Sequence, residues 1–144
     1  TASYVKKEAD DFFRSFGLTD VQFNVLMLLQ HQSDPESGLS QAQISDMMLV
    51  NRANITTLID RMEKASLVRR TAAAGDRRRN IIVMTDKARL LMEQVEPLYA
   101  RKIQEIMAGF DDHQQQQIIR NMETIRGNVK EALLTAPASL SIST

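Results

Sequence analysis

The chain has 144 residues, of which 43% are hydrophobic and 25% charged, the composition of an ordinary globular domain. It contains no run of about 18 uncharged apolar residues and no apolar signal core at its start, so we expect a cytoplasmic protein with no membrane partner. Because cysteine is absent, disulfides and thiolate metal ligands are excluded. The two histidines, His31 and His113, lie at the ends of different predicted helices, which favours neither a metal site nor a cofactor.

The net charge of zero hides an uneven distribution along the chain. Between Asn51 and Asn80 there are eight basic and three acidic residues, and the remainder of the chain is correspondingly acidic. A confined basic segment is a typical surface for polyanions, and DNA is the first candidate. The alternative is a solvated basic loop with no partner.

Three helix starts are marked by capping residues. The pairs Thr19 with Gln22 and Ser40 with Gln43 match the capping box. In this motif the side chain of each residue accepts a hydrogen bond from the backbone N–H of the other. Asn51 is a third N-cap. The short connection between the second and third helices is typical of a helix-turn-helix. The three helices are expected over 19–32, 40–48 and 51–64.

The sequence pattern changes from helical to β-prone after the third helix. Residues 67–71 and 80–84 are rich in β-branched and apolar side chains, and Gly75-Asp76 between them marks a turn. The pattern predicts a β-hairpin with an arginine-rich tip that contains Arg77, Arg78 and Arg79.

The C-terminal part of the chain returns to helical spacing. A long helix is expected from Thr85 to about Met107, with a bend or break near Glu96 because Pro97 lacks a backbone donor. A last helix follows, with Asp111 as its cap.

Both ends of the chain carry apolar stripes at helical spacing. Such faces favour pairing with a second copy, although they could instead fold back onto the chain's own core. The stripes consist of Val5, Ala9, Phe12, Phe13 and Phe16 in the N-terminal segment, and Ile118, Met122, Ile125, Val129 and Leu133 in the last helix.

The order of these elements resembles the MarR family of bacterial transcription regulators. Residues 51–63 are similar to the family's recognition helix, and residues 67–70 look like its first wing strand. Asp76-Arg77-Arg78 and Met84-Thr85 are similar to the residues that bracket the second wing strand. The sequence departs from the family pattern at Ser66 and at Ala88, two positions where the family often has glycine.

The resemblance covers about residues 4–134 and implies a fold. That fold is mainly α-helical, with a winged helix-turn-helix DNA-binding lobe, a β-hairpin wing, and N- and C-terminal helices that form a dimerisation lobe. The expected regions are 1–18 and 108–136 for dimerisation, 19–107 for DNA binding together with the long connecting helix, and 137–144 for a flexible tail.

The resemblance also implies a function. It is that of a sequence-specific transcription regulator, a ligand-responsive repressor that binds a pseudo-palindromic operator in double-stranded DNA as a homodimer. Arg52 and Asn54 have the chemistry to read guanine and adenine edges in the major groove. Arg78 is similar to a wing arginine that enters the minor groove, and Asp76 is expected to orient an arginine. The expected DNA-binding residues are Ser40, Gln41, Arg52, Asn54, Thr56, Thr57, Arg61, Arg77, Arg78 and Arg79.

Other functions fit the sequence less well. An enzyme is not expected, since there is no phosphate-binding loop, metal cluster or activated nucleophile. The resemblance implies a small aromatic effector that binds between the dimer helices and the DNA-binding lobes. The alternative from a different class is a winged-helix protein interaction module that does not bind DNA, but the arginines of the hairpin argue against it.

Overall fold

The computed structural model describes residues 2–33, 37–73 and 76–135, with side chains at all of these positions except 2, 5, 73 and 76–79. The described residues form six helices and three strands, and the chain divides into two compact units after Tyr99. In chain order the elements are α1 (Ala2–Arg14), α2 (Asp20–His31), β1 (Leu39–Ser40), α3 (Gln41–Met48), α4 (Arg52–Lys64), β2 (Val68–Ala73), β3 (Asp76–Met84), α5 (Asp86–Ile106) and α6 (Asp112–Thr135).

The capping residues start the helices as the sequence predicts. Thr19 and Ser40 each form a complete capping box with the glutamine three residues later. The side chain of Asn51 accepts a 2.9 Å hydrogen bond from the backbone N–H of Asn54. Asp111 caps α6 in the same way, since its carboxylate accepts from the backbone N–H of Gln114 at 2.8 Å. These bonds confirm the predicted caps. The caps could be predicted because each depends only on residues close in sequence.

The sheet has three antiparallel strands in the order β1-β3-β2. The hairpin of β2 and β3 is confirmed, but β3 begins at Asp76 rather than at residue 80. Arg77, Arg78 and Arg79 therefore lie in the first half of a strand, between the pairs Ala73–Asp76 and Ala72–Asn80, where the register shifts. The short strand β1 was not predicted, since two residues are too few to show a period.

The first unit has one hydrophobic core, built around the inward faces of α2 and α4 and the sheet. Its largest fully buried side chains include Phe23, Leu26, Ile55 and Ile82. Phe13 of α1 is also buried in this core, and Phe12 and Phe16 pack against it. Most of the described N-terminal stripe thus folds onto the chain's own core, and the side chain of Val5 lies outside the described residues.

Helix α5 runs without interruption through Pro97, so a break near Glu96 is wrong, and a bend there stays a prediction. A proline removes one backbone donor, but the two residues before it are anchored. The carboxylate of Glu96 accepts a 2.6 Å hydrogen bond from Gln30 Nε2, and its other oxygen lies 2.6 Å from His31 Nε2. Val95 is fully buried, and these contacts outweigh the loss of one hydrogen bond in a helix of 21 residues.

The second unit contains the end of α5 and all of α6. No residue of α6 is buried, although Met122, Ile125, Val129 and Leu133 recur at helical spacing. These four residues are 45% to 60% exposed. None of the helices described here is both long enough and apolar enough to cross a lipid bilayer.

Candidate nucleic-acid interface

Helix α4 has one buried face and one solvent-facing face. Ile55, Ile59 and Met62 are fully buried against the core of the first unit. At 13 residues the helix is about 20 Å long, which suits the major groove of DNA. Its exposed residues are Arg52, Ala53, Asn54, Thr56, Thr57, Asp60, Arg61 and Lys64.

Four cations in and beside this helix form no ion pair with the part of the chain that the structure describes. Arg52, Arg61 and Lys64 of α4 and Arg69 of β2 are exposed, and none forms a salt bridge with another described residue. Their charge is therefore not compensated within the described part of the first unit. Uncompensated cations on a solvent-facing helix are available to bind a polyanion.

Arg70 differs from the other cations because its charge is used inside the protein. It lies on β2 two residues after the buried Val68, so that its side chain shares the strand face that packs toward α4. Its guanidinium binds Asp60 at 2.6 Å and also binds Glu63, while its backbone N–H donates to Glu63 at 3.1 Å. Partial burial lowers the pKa of Arg70, but the bonds and charges of the two carboxylates outweigh it, so the pKa is raised overall.

Gln41, Thr56 and Arg70 are brought together at the start of α3. Gln41 Oε1 accepts from Arg70 Nε at 3.3 Å, and Gln41 Nε2 donates to Thr56 Oγ1 at 3.0 Å. Thr56 Oγ1 in turn donates to the carbonyl oxygen of Arg52 at 3.0 Å. Two residues predicted to bind DNA therefore have their side chains engaged with each other.

The remaining predicted site residues are placed as follows. Ser40 is both the last residue of β1 and the N-cap of α3, and its hydroxyl accepts from Gln43 N at 3.2 Å. Thr57 is exposed, and its hydroxyl donates to the carbonyl oxygen of Ala53 at 3.3 Å. Asn54, the residue after Ala53, is exposed. The side chains of Asp76, Arg77, Arg78 and Arg79 lie outside the described residues.

Sequence reasoning missed two features of this surface. Ala53 and Lys64 both lie on the exposed side of α4, a placement that the helical period could have given. The pairing of Arg70 with Asp60 and Glu63 was harder to find. The spacing of the two acids by three residues shows that they share a helix face, but it does not show which cation they meet.

A comparison with known proteins supports the same reading of the fold. The model of the MarR family matches residues 16–79, the segment that contains α2, α3, α4, β2 and the start of β3. The predicted resemblance to the MarR family is confirmed over this segment. The predicted winged helix-turn-helix fold is confirmed by the solved structures described next.

Several transcription regulators are similar to most of the chain. The HTH-type transcriptional regulator PecS of Dickeya dadantii is 25% identical over 130 residues, which are 90% of this chain and 75% of PecS. The HTH-type transcriptional regulator MhqR of Bacillus subtilis is 28% identical over 115 residues, which are 80% of this chain and 77% of MhqR. The transcriptional repressor CouR bound to a 23-mer DNA duplex is 27% identical with a TM-score of 0.72, and the match covers 87% of each chain. CouR from Rhodococcus jostii has also been solved with p-coumaroyl-CoA, at 23% identity, a TM-score of 0.75 and a coverage of 86% of this chain and 85% of CouR.

Proposed function

We propose that this protein is a sequence-specific DNA-binding transcription regulator. The observation that carries the proposal is the exposed face of α4, where Arg52, Asn54 and Arg61 have no side-chain partner among the described residues. Arginine can bind guanine O6 and N7 together, and asparagine can bind adenine N6 and N7 in the same way. The regulators PecS and MhqR and the DNA-bound repressor CouR support this function.

Contacts with the DNA backbone would come from the elements around α4. The hydroxyl of Ser40 stands at the N-terminus of α3, where backbone N–H groups and the helix dipole favour a phosphate. The methyl group of Thr57 can also contact the methyl group of a thymine base. Arg78 of β3 would reach the minor groove, with Asp76 orienting an arginine of the same strand.

The functional unit is a homodimer, and α6 supplies most of its interface. A helix with no buried residue and four apolar side chains on one stripe is stabilised when that stripe is covered. A second copy covers it with two-fold symmetry. The contribution of α1 is smaller than its sequence suggests, because Phe13 is already buried in the chain's own core. In this arrangement, residues 1–18 and 108–136 form the dimerisation region, and residues 19–107 form the DNA-binding region.

A dimer of winged helix-turn-helix lobes binds a pseudo-palindromic operator, since each lobe reads one half-site. The protein acts in the cytoplasm as a repressor that releases its operator when a small aromatic effector binds. The structure of CouR bound to p-coumaroyl-CoA, whose acyl group is aromatic, supports an effector of this class. Its activity is binding rather than catalysis.

Salt-dependent DNA binding is the test of this function. A duplex is first enriched from a random library by the wild-type protein, and its affinity is then measured by fluorescence anisotropy over a range of salt concentrations. Arg61→Met should flatten the slope of log K against log salt by about 0.9, because one phosphate contact is lost. Arg101→Met, which removes an exposed cation from α5, is the matched control and should leave the slope unchanged. A wild-type protein that enriches no duplex and binds DNA without salt dependence would refute the proposal and favour the protein interaction module.

A further inference from the structure

The cluster around Arg70 links three elements of the DNA-binding region. Arg70 of β2 contacts Asp60 and Glu63 in the second half of α4, and it contacts Gln41 in the first turn of α3. One guanidinium group thus holds the wing strand, the recognition helix and the helix before it. Arginine suits this task because its five donors have a fixed planar arrangement that can serve several acceptors at once.

Gln41 extends the cluster to the beginning of the recognition helix. Its amide group accepts from Arg70 and donates to Thr56, whose hydroxyl donates to the carbonyl oxygen of Arg52. The chain of hydrogen bonds therefore runs from β2 to the first residue of α4. Arg52 is the residue whose side chain must meet a base edge at a defined position.

We infer that Arg70 and Gln41 are positioning residues that fix α3 and α4 against the wing strand, and that Gln41 and Thr56 serve this cluster rather than contact DNA. The inference rests on the proposed function for its effect on DNA binding. The side chain of Arg70 is 23% exposed, and each of its three nitrogen atoms donates a hydrogen bond within the protein. Three of its five N–H donors are therefore used within the protein, one on each guanidinium nitrogen, which fixes the orientation of the group.

The charges of the cluster give it a second effect on DNA binding. Asp60 and Glu63 are 51% and 40% exposed, on the helix that faces the polyanion. Exposed ion pairs contribute little to the stability of a fold, so the value of these pairs lies in orientation and in charge compensation. Without Arg70, two carboxylates would remain uncompensated beside the phosphates and would repel them.

The first experiment separates a positioning residue from a DNA contact. Arg70→Met and Arg61→Met remove the same charge, and both are measured on the enriched duplex well below the midpoint of thermal unfolding. We expect Arg70→Met to weaken binding about ten-fold or more and to keep most of this loss at high salt, where repulsion by Asp60 and Glu63 is screened, whereas Arg61→Met flattens the slope by about 0.9. An equal flattening in Arg70→Met would make Arg70 a phosphate contact and overturn the inference. Unchanged affinity in a folded Arg70→Met would also overturn it.

The second experiment tests Gln41 through its coupling to Arg70. If both residues act in one cluster, Gln41→Met added to Arg70→Met should weaken binding no further than Arg70→Met alone. If Gln41 contacts DNA independently, the fold-changes of the two substitutions should multiply, and its assignment as a positioning residue would be wrong.

A third measurement decides the inference without any DNA. Amide hydrogen exchange of the free protein should be accelerated about ten-fold in α3 and in the first turn of α4 by Arg70→Met, with α2 unchanged as the internal reference. Unaltered exchange in both segments would contradict positioning by Arg70. If the wild-type protein bound no DNA, the proposed function would fail, and the exchange data would still show whether Arg70 and Gln41 fix the two helices.

Discussion

Gly38 precedes β1 and has a left-handed backbone with φ of +60°. A Cβ atom at this position would overlap the carbonyl oxygen of Ile82 and would lie 2.6 Å from Val83 Cγ1. The carbonyl group belongs to β3 opposite Leu39, so it cannot move without disturbing the pairing of β1. Gly38→Ala should therefore cost about 1–2 kcal/mol for the left-handed backbone and about 1–3 kcal/mol for overpacking, about 2–5 kcal/mol in total.

Ser66 provides the control, because its φ of 57° is nearly the same as that of Gly38. Ser66 is exposed, and its recorded hydrogen bonds use only its backbone: its N–H donates to Glu63 at 2.9 Å and its carbonyl accepts from Thr85 at 2.7 Å. Ser66→Gly keeps both bonds and relieves the left-handed strain, so it should raise the free energy of unfolding by up to about 1 kcal/mol. The difference between Ser66→Gly and Ser66→Ala then measures the cost of the backbone conformation alone.

Urea unfolding of all three variants and the wild type, at one protein concentration, gives the comparison. The loss in free energy of unfolding caused by Gly38→Ala should exceed the difference in free energy between the two Ser66 variants by at least about 1 kcal/mol. Of these two positions, only position 38 has a steric clash. If the two costs are equal, the overlap with Ile82 has no energetic effect and the packing argument is wrong. Thermal unfolding should rank the variants in the same order, with about 2–4 °C for each kcal/mol.

Three further predictions concern the caps, the dimer and the DNA contacts. Asn51→Ala should lower the free energy of unfolding by about 1 kcal/mol in urea titrations, because α4 loses its N-cap. Ile125→Lys should shift the sedimenting species from about twice 16.3 kDa to 16.3 kDa, while Gln116→Lys on the other side of α6 should remain dimeric. In competition binding, Asn54→Ala should relax the preference for one base step by about 1–3 kcal/mol, whereas Arg78→Ala should weaken binding to every sequence. If Arg78→Ala and the wild type bind all duplexes equally well, Arg78 has no role in DNA binding by the wing.

Much of the fold could be predicted because its signals are local. The caps at Thr19, Ser40 and Asn51 each depend on residues three positions apart, and all three mark helix starts in the structure. The features that were missed depend on contacts distant in sequence. Strand β1 exists because β3 pairs with it, and α5 continues through Pro97 beside contacts to a helix more than 60 residues earlier.

The candidate site shows the same division between local and distant signals. The exposed face of α4 follows from its helical period, so Arg52, Asn54 and Arg61 could be assigned to it from sequence. The eight basic residues of the basic segment include Arg70, but Asp60 and Glu63 compensate its charge in the fold. A sum of charges along the chain cannot separate a cation bound inside the protein from one open to solvent.

The alternation of side chains along β2 restricts where the wing can change its length. Val68 points into the core, Arg69 is exposed, and Arg70 faces α4. A single-residue deletion before Val68 that kept the pairing register would exchange these environments and place Arg69 at the core position of Val68. The pairing with β3 becomes irregular only between Ala72 and Ala73. Insertions and deletions should therefore be tolerated between Ala72 and Asp76 alone, so that the reach of the wing along DNA could diverge during evolution while the recognition helix stays in place.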